Sequence, residues 1–220
     1  MEKNRQAILF MKERKYEEAA KLFNEIIEEY PKDPIGYINF GNLLRDINEL
    51  ESAKRFYLKA IELDAKAATA YYGLGSLYFE KENYQKAQSY FLQTVEHGLE
   101  EADVYYLLGL SLQNQEQFKL ALPYLLRATE LAPGDVSYLF QYGLSLAQSN
   151  AIMEAKTIFT KVVTLDEEHS DAYYNLGVIA AFEDQPETAL KHFNQALALH
   201  PEHYLAANGK KQIEKFLEEN

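Results

Sequence analysis

The sequence predicts an all-α chain built as a stack of helical hairpins, and two spacings carry that prediction. Alanine stands at Ala19, Ala53, Ala87, Ala121, Ala155 and Ala189, one every 34 residues. Glycine stands at Gly41, Gly75, Gly109, Gly143 and Gly177, each 12 residues before one of those alanines, and Ala7 fills the first slot. A repeat of this length, with small residues at two fixed places, marks helix–turn–helix units that stack into an elongated core. The fold class is therefore six such repeats, over about 1–33, 34–67, 68–101, 102–135, 136–169 and 170–203, plus a capping helix over about 204–219, all in one array spanning 1–220.

The elements follow in order. The first repeat is atypical, with Lys3, Gln6 and Ala7 where later repeats have an aromatic, a large apolar residue and glycine. The third shows the full pattern. Tyr71, Leu74, Gly75 and Tyr78 share one helical face, Glu80 to Asn83 form a polar turn, and Tyr84, Ala87, Phe91 and Thr94 mark the inner face of a second helix. Glycine inside a helix costs about 1 kcal/mol relative to alanine. Its recurrence implies close approach of the paired helices, with the alanine of the second helix facing it for the same purpose. Gly98 reads as a helix C-cap. Pro123 falls inside the second helix of the fourth repeat, where some bending is expected, and Pro186 opens the second helix of the sixth. After Pro201 the chain keeps Tyr204 and Leu205, then turns charged at Lys210, Lys211, Glu214 and Lys215, as a helix covering the last apolar face should.

These residues resemble the tetratricopeptide repeat, and the resemblance covers the whole chain. Large apolar residues, mostly aromatic, occupy its first signature place at Tyr37, Tyr71, Tyr105, Leu139 and Tyr173. Phe40, Leu74, Leu108, Tyr142 and Leu176 precede the glycines, and Phe23, Tyr57, Phe91, Leu125, Phe159 and Phe193 follow four residues after the alanines. The closing proline stands at Pro31, Pro133 and Pro201, with Ala65, Leu99 and Glu167 elsewhere.

The resemblance implies a right-handed α-α superhelix whose first helices line a concave groove. Three sets of residues are expected there: Ile38, Tyr72, Tyr106, Phe140 and Tyr174; Asn42, Ser76, Leu110, Leu144 and Val178; and Arg45, Phe79 and Gln113, with Ala147 and Ala181 completing the third set. Asn39, Gln141 and Asn175 stand beside them as amides able to pair with a peptide backbone. In the family, the place of Asn42 often holds the ligand backbone. A basic clamp for a C-terminal carboxylate is not expected, because Thr69, Tyr72, Ser76 and Tyr106 stand where it would need Lys or Arg.

Composition narrows the function further. A net charge of −12 without a basic run argues against nucleic acid and anionic membranes. Cysteine is absent, which removes disulfides, thiolate nucleophiles and Cys-based zinc sites. No secretory leader or membrane span is legible, so a cytoplasmic location is expected. His200 and His203 flank Pro201 and read as solvated turn histidines rather than metal ligands. Gly73 and Gly75 are not read as half of a dinucleotide fingerprint, because no strand precedes them and the repeat already explains Gly75. No nucleophile elbow, phosphate loop or paired acid motif stands out.

The expectation is thus a non-catalytic scaffold without cofactor or metal. Its partner is a protein or peptide, partly apolar, with self-association possible. The alternatives are a structural protein that stacks end to end, or a non-catalytic regulator of a partner enzyme.

Overall fold

Thirteen helices follow one another through the described residues, 2–219 of a computed structural model, with no strand among them. They are α1 (Glu2–Lys12), α2 (Tyr16–Glu29), α3 (Pro34–Asp46), α4 (Leu50–Leu63), α5 (Ala68–Glu80), α6 (Tyr84–Glu96), α7 (Ala102–Gln113), α8 (Phe118–Leu131), α9 (Val136–Gln148), α10 (Ile152–Leu165), α11 (Ser170–Phe182), α12 (Pro186–Leu199) and α13 (Tyr204–Glu219). Each repeat supplies two, and α13 closes the series. The chain forms two compact units, one up to Gln115 and one from Glu116 onward, dividing in the turn between α7 and α8.

Within the first unit α1 packs on α2, α3 on α4 and α5 on α6, and each second helix also packs on the first helix of the next repeat. First helices touch one another as well, α1 with α3, α3 with α5 and α5 with α7. In the second unit each helix from α8 to α13 packs on the next, and α11 also touches α13.

The small residues act through an aromatic ring. Ala19, Ala53, Ala87, Ala155 and Ala189 are fully enclosed, and so are Phe23, Tyr57, Phe91 and Phe159, with Phe193 only 2% exposed. A methyl group added at Gly41, Gly75, Gly143 or Gly177 would stand 2.7, 2.6, 2.8 or 2.6 Å from the ring of Tyr57, Phe91, Phe159 or Phe193 respectively. The expected neighbour of each glycine was the alanine of the second helix. The structure corrects that: the missing side chain makes room for the ring four residues further on. In the last repeat Phe193 is held on a second side by Gly209 of α13, where an added methyl would lie 2.7 Å from it. Ala180, Ala189, Phe193, Ala196 and Ala206 form the buried cluster that this contact seals.

The turns inside the repeats share one conformation. Arg14, Asn48, Glu82, Glu116, Asn150 and Asp184 have φ between 56° and 67°, in the left-handed region. In the second repeat the Asn48 amide donates to Arg45 and the Glu49 amide to Leu44, so the last carbonyls of α3 are satisfied. Gly98 does the same after α6 with φ +88°, donating to Val95 while Leu99 donates to Thr94, as the sequence predicts. Helix starts are capped by Asp33, Asn83, Asp135 and His169. Helix α8 runs through Pro123, and Pro186 is the first residue of α12.

Four outcomes are expected from the packing and the turns. Gly75→Ala should lower stability by up to about 2 kcal/mol, the overpacking strain of about 1–3 kcal/mol less about 1 kcal/mol of helix propensity. Gly134→Ala, with nothing within 4 Å of the new methyl, should leave the urea midpoint unchanged or raise it. Conversely, Glu82→Gly should raise the melting temperature by relieving a left-handed non-glycine residue, worth about 0.5–1 kcal/mol. Asn48→Gly should do less, since asparagine tolerates that region.

Candidate functional site

The ladder expected on the first helices is half built into the core. Tyr72, Phe140 and Tyr174 are half-buried, their rings 5.9, 5.7 and 6.1 Å from Phe91, Phe159 and Phe193 of the same repeat. Tyr106, Leu110 and Gln113 of α7 are half-buried too, as are Gln141 and Leu144 of α9, and Val178 is exposed. Ile38 and Ser76 are corrections. They are 8% and 7% exposed and are enclosed rather than offered to a partner. At these two positions the same helical spacing serves packing between neighbouring helices.

In the first unit the remaining polar residues are already engaged. Asn39 donates to Asn4 Oδ1 at 2.8 Å, and the Arg45 guanidinium lies 3.7 Å from Glu80. The hydroxyl of the enclosed Tyr57 donates to Asn42 Oδ1 at 2.7 Å. Burial raises the Tyr57 phenol well above its ordinary value, so it stays a donor. Phe79 packs edge-on against Tyr84 at 5.4 Å. The Tyr72 phenol is likewise raised, first by burial and then by the charge of Asp103.

The second unit holds a groove along its first helices. A cavity of about 610 Å³ lies between α9 and α11, closed at one end by the start of α13. It gathers Phe140, Leu144, Tyr174, Asn175 and Val178 from the expected set. It also gathers residues that the spacing did not single out, among them Phe182, Leu205, Asp171 and His203. Phe182 and Leu205 are 75% and 53% exposed, large apolar side chains in solvent at a groove edge. The available signal was that Leu205 falls, by the 34-residue period, in the slot that holds Thr69, Asp103, Ser137 and Asp171.

His203 is also a correction. It was expected to be a solvated turn histidine, and it is 7% exposed. Its Nδ1 accepts the Ala206 amide at 3.2 Å as the cap of α13, which places the ring hydrogen on Nε2. Nε2 lies 3.0 Å from Asp171 Oδ1. Asn175 Nδ2 donates to the Asp171 carbonyl at 2.8 Å. Among the described residues, no group of three or more His, Asp or Glu side chains is placed to hold a metal.

Charge is segregated by helix. The first helices α5, α7, α9 and α11 contain no lysine or arginine, and their charged residues are Glu80, Asp103 and Asp171 alone. Lysine and arginine stand on every second helix, from Lys21 on α2 to Lys191 on α12.

Patterns described as TPR repeat and tetratricopeptide repeat match residues 5–33, 41–82, 72–136, 106–155 and 170–203. The crystal structure of YrrB, described as a TPR protein with an unusual peptide-binding site, is 46% identical. It superposes with a TM-score of 0.85 over 87% of this chain and 99% of its own. The chain belongs to the tetratricopeptide-repeat family. Its fold is the all-α TPR solenoid class that the 34-residue period predicts.

The TPR repeat-containing protein YrrB of Bacillus subtilis (strain 168) is 56% identical over 41 residues, 19% of this chain. That match spans only 20% of the curated protein's own length. PilF of Pseudomonas aeruginosa, 16% identical with a TM-score of 0.78 over 96% of each chain, shares the fold. TPR folds of this kind are protein- and peptide-binding modules. No helix among the described residues is long and apolar enough to cross a membrane.

The Tyr57 contact predicts its own test. Tyr57→Phe removes the donor to Asn42 and keeps the ring, so it should lower stability by about 1 kcal/mol without changing the far-ultraviolet circular dichroism spectrum.

Proposed function

We propose that this chain is a non-catalytic interaction module. It holds a partly apolar segment of another protein along the first helices, and the groove of the second unit is its principal seat. One observation carries the reading: Phe182, Leu205 and Val178 expose large apolar surface around a cavity of about 610 Å³. Such a cavity suits one or two apolar anchors, which supply most of the affinity in peptide recognition. The half-buried aromatics Phe140 and Tyr174 form its floor, and Asn175 keeps its amide oxygen to accept from a peptide N–H. In the first unit Asn42 offers its amide nitrogen, because its oxygen is taken by Tyr57. The description of YrrB as having a peptide-binding site supports the same class of ligand.

A second reading, self-association through the chain's end, draws on Phe216 and Leu217 of α13, which are 46% and 38% exposed. Light scattering across protein concentration separates it from a monomeric adaptor.

The groove reading is tested by placing a photoreactive amino acid at Val178 or at Lys161, an exposed site on α10, and irradiating in cell extract. Partner adducts are expected from Val178 and not from Lys161, and Phe182→Asp should reduce their yield about tenfold. Adducts from Lys161 alone would move the binding face to the second helices.

A further inference from the structure

The groove of the second unit is charged on one side only. Helix α9 carries no charged residue, and α11 carries Asp171 alone. We infer that this groove selects a segment that sets a lysine or arginine against Asp171 while a neighbouring large apolar side chain seats on Val178, Phe182 and Leu205. The inference rests on the groove reading above and specifies the chemistry of its ligand.

Two side chains stand against Asp171. The buried His203 ring, oriented by the Ala206 amide, presents Nε2 at 3.0 Å to one carboxylate oxygen. Asn175 ties the backbone carbonyl of the same residue at 2.8 Å. The carboxylate nevertheless remains 60% exposed, so its charge is available at the groove edge. A seated apolar segment would strip water from this carboxylate. An uncharged ligand would leave that loss uncompensated, an acidic one would add repulsion, and a cation would offset it. An acidic ligand would find no lysine or arginine on α9 or α11 to answer it. The net charge of −12 adds long-range attraction for a basic partner.

The test starts from a random peptide library displayed on phage and selected on the full-length protein. Recovered peptides should be enriched in Lys or Arg flanked by Leu, Ile, Phe or Tyr, and depleted in Asp and Glu. For a synthetic copy of one of them, Asp171→Asn should weaken binding roughly fivefold, as should replacing the peptide's basic residue by Gln. The two changes together should cost no more than either alone. Asn keeps an oxygen for His203, and the peptide-side change leaves the protein untouched, so a folding defect cannot imitate the coupling. Acidic or neutral selections, or additive losses, overturn the inference. If Phe182→Asp abolishes binding while Asp171→Asn does nothing, the groove stands and the charge selection falls. If neither variant matters, or no peptide is recovered, both fall.

Discussion

The structure depends on one contact, an aromatic ring of the second helix pressed onto a bare stretch of first-helix backbone. At Gly41, Gly75, Gly143 and Gly177 no side chain intervenes, and the ring of Tyr57, Phe91, Phe159 or Phe193 fills the space. A ring of this size contributes about 1.5–3 kcal/mol through burial, more than the roughly 1 kcal/mol that the glycine forfeits in helix propensity. The contact also sets how closely the two helices pair. The half-buried aromatics Tyr72, Phe140 and Tyr174 pack against the same rings, Phe91, Phe159 and Phe193.

Such a lock explains how recognition chemistry can vary along a regular frame. Phe140 and Tyr174 rest on Phe159 and Phe193, so their orientation is inherited from the core while their outer faces remain accessible. The enclosed Tyr57 goes further, because its hydroxyl reaches Asn42 and thereby joins the core to a residue of the first-helix face. Packing and site are not separable layers in this chain.

Much of this was legible in the residues. The period located every helix pair, and the turn residues and Pro186 marked helix ends because local backbone chemistry decides them. Less of the site was legible. Ile38 and Ser76 share the helical phase of Tyr72 and Asn42, yet contacts from neighbouring helices, which periodicity does not encode, enclose them. Phe182 lies one place beyond the third expected set, at the last turn of α11, where helical phase and solvent exposure part company. His203 read as a loop residue because its partners, Asp171 and the Ala206 amide, meet it only once α13 folds back against α11. The division at Gln115 left no trace in a composition that is uniform from end to end.

Helix α13 seals the last hydrophobic cluster through Gly209 and Ala206 and also lends Leu205 and His203 to the groove wall. Local unfolding of this helix would therefore dismantle recognition and expose Phe193 in a single event. By linkage, an occupant bound there would hold the helix down, and the last repeat would gain protection as ligand concentration rises. One helix is thus both the lid of an interior and a wall of the proposed cleft.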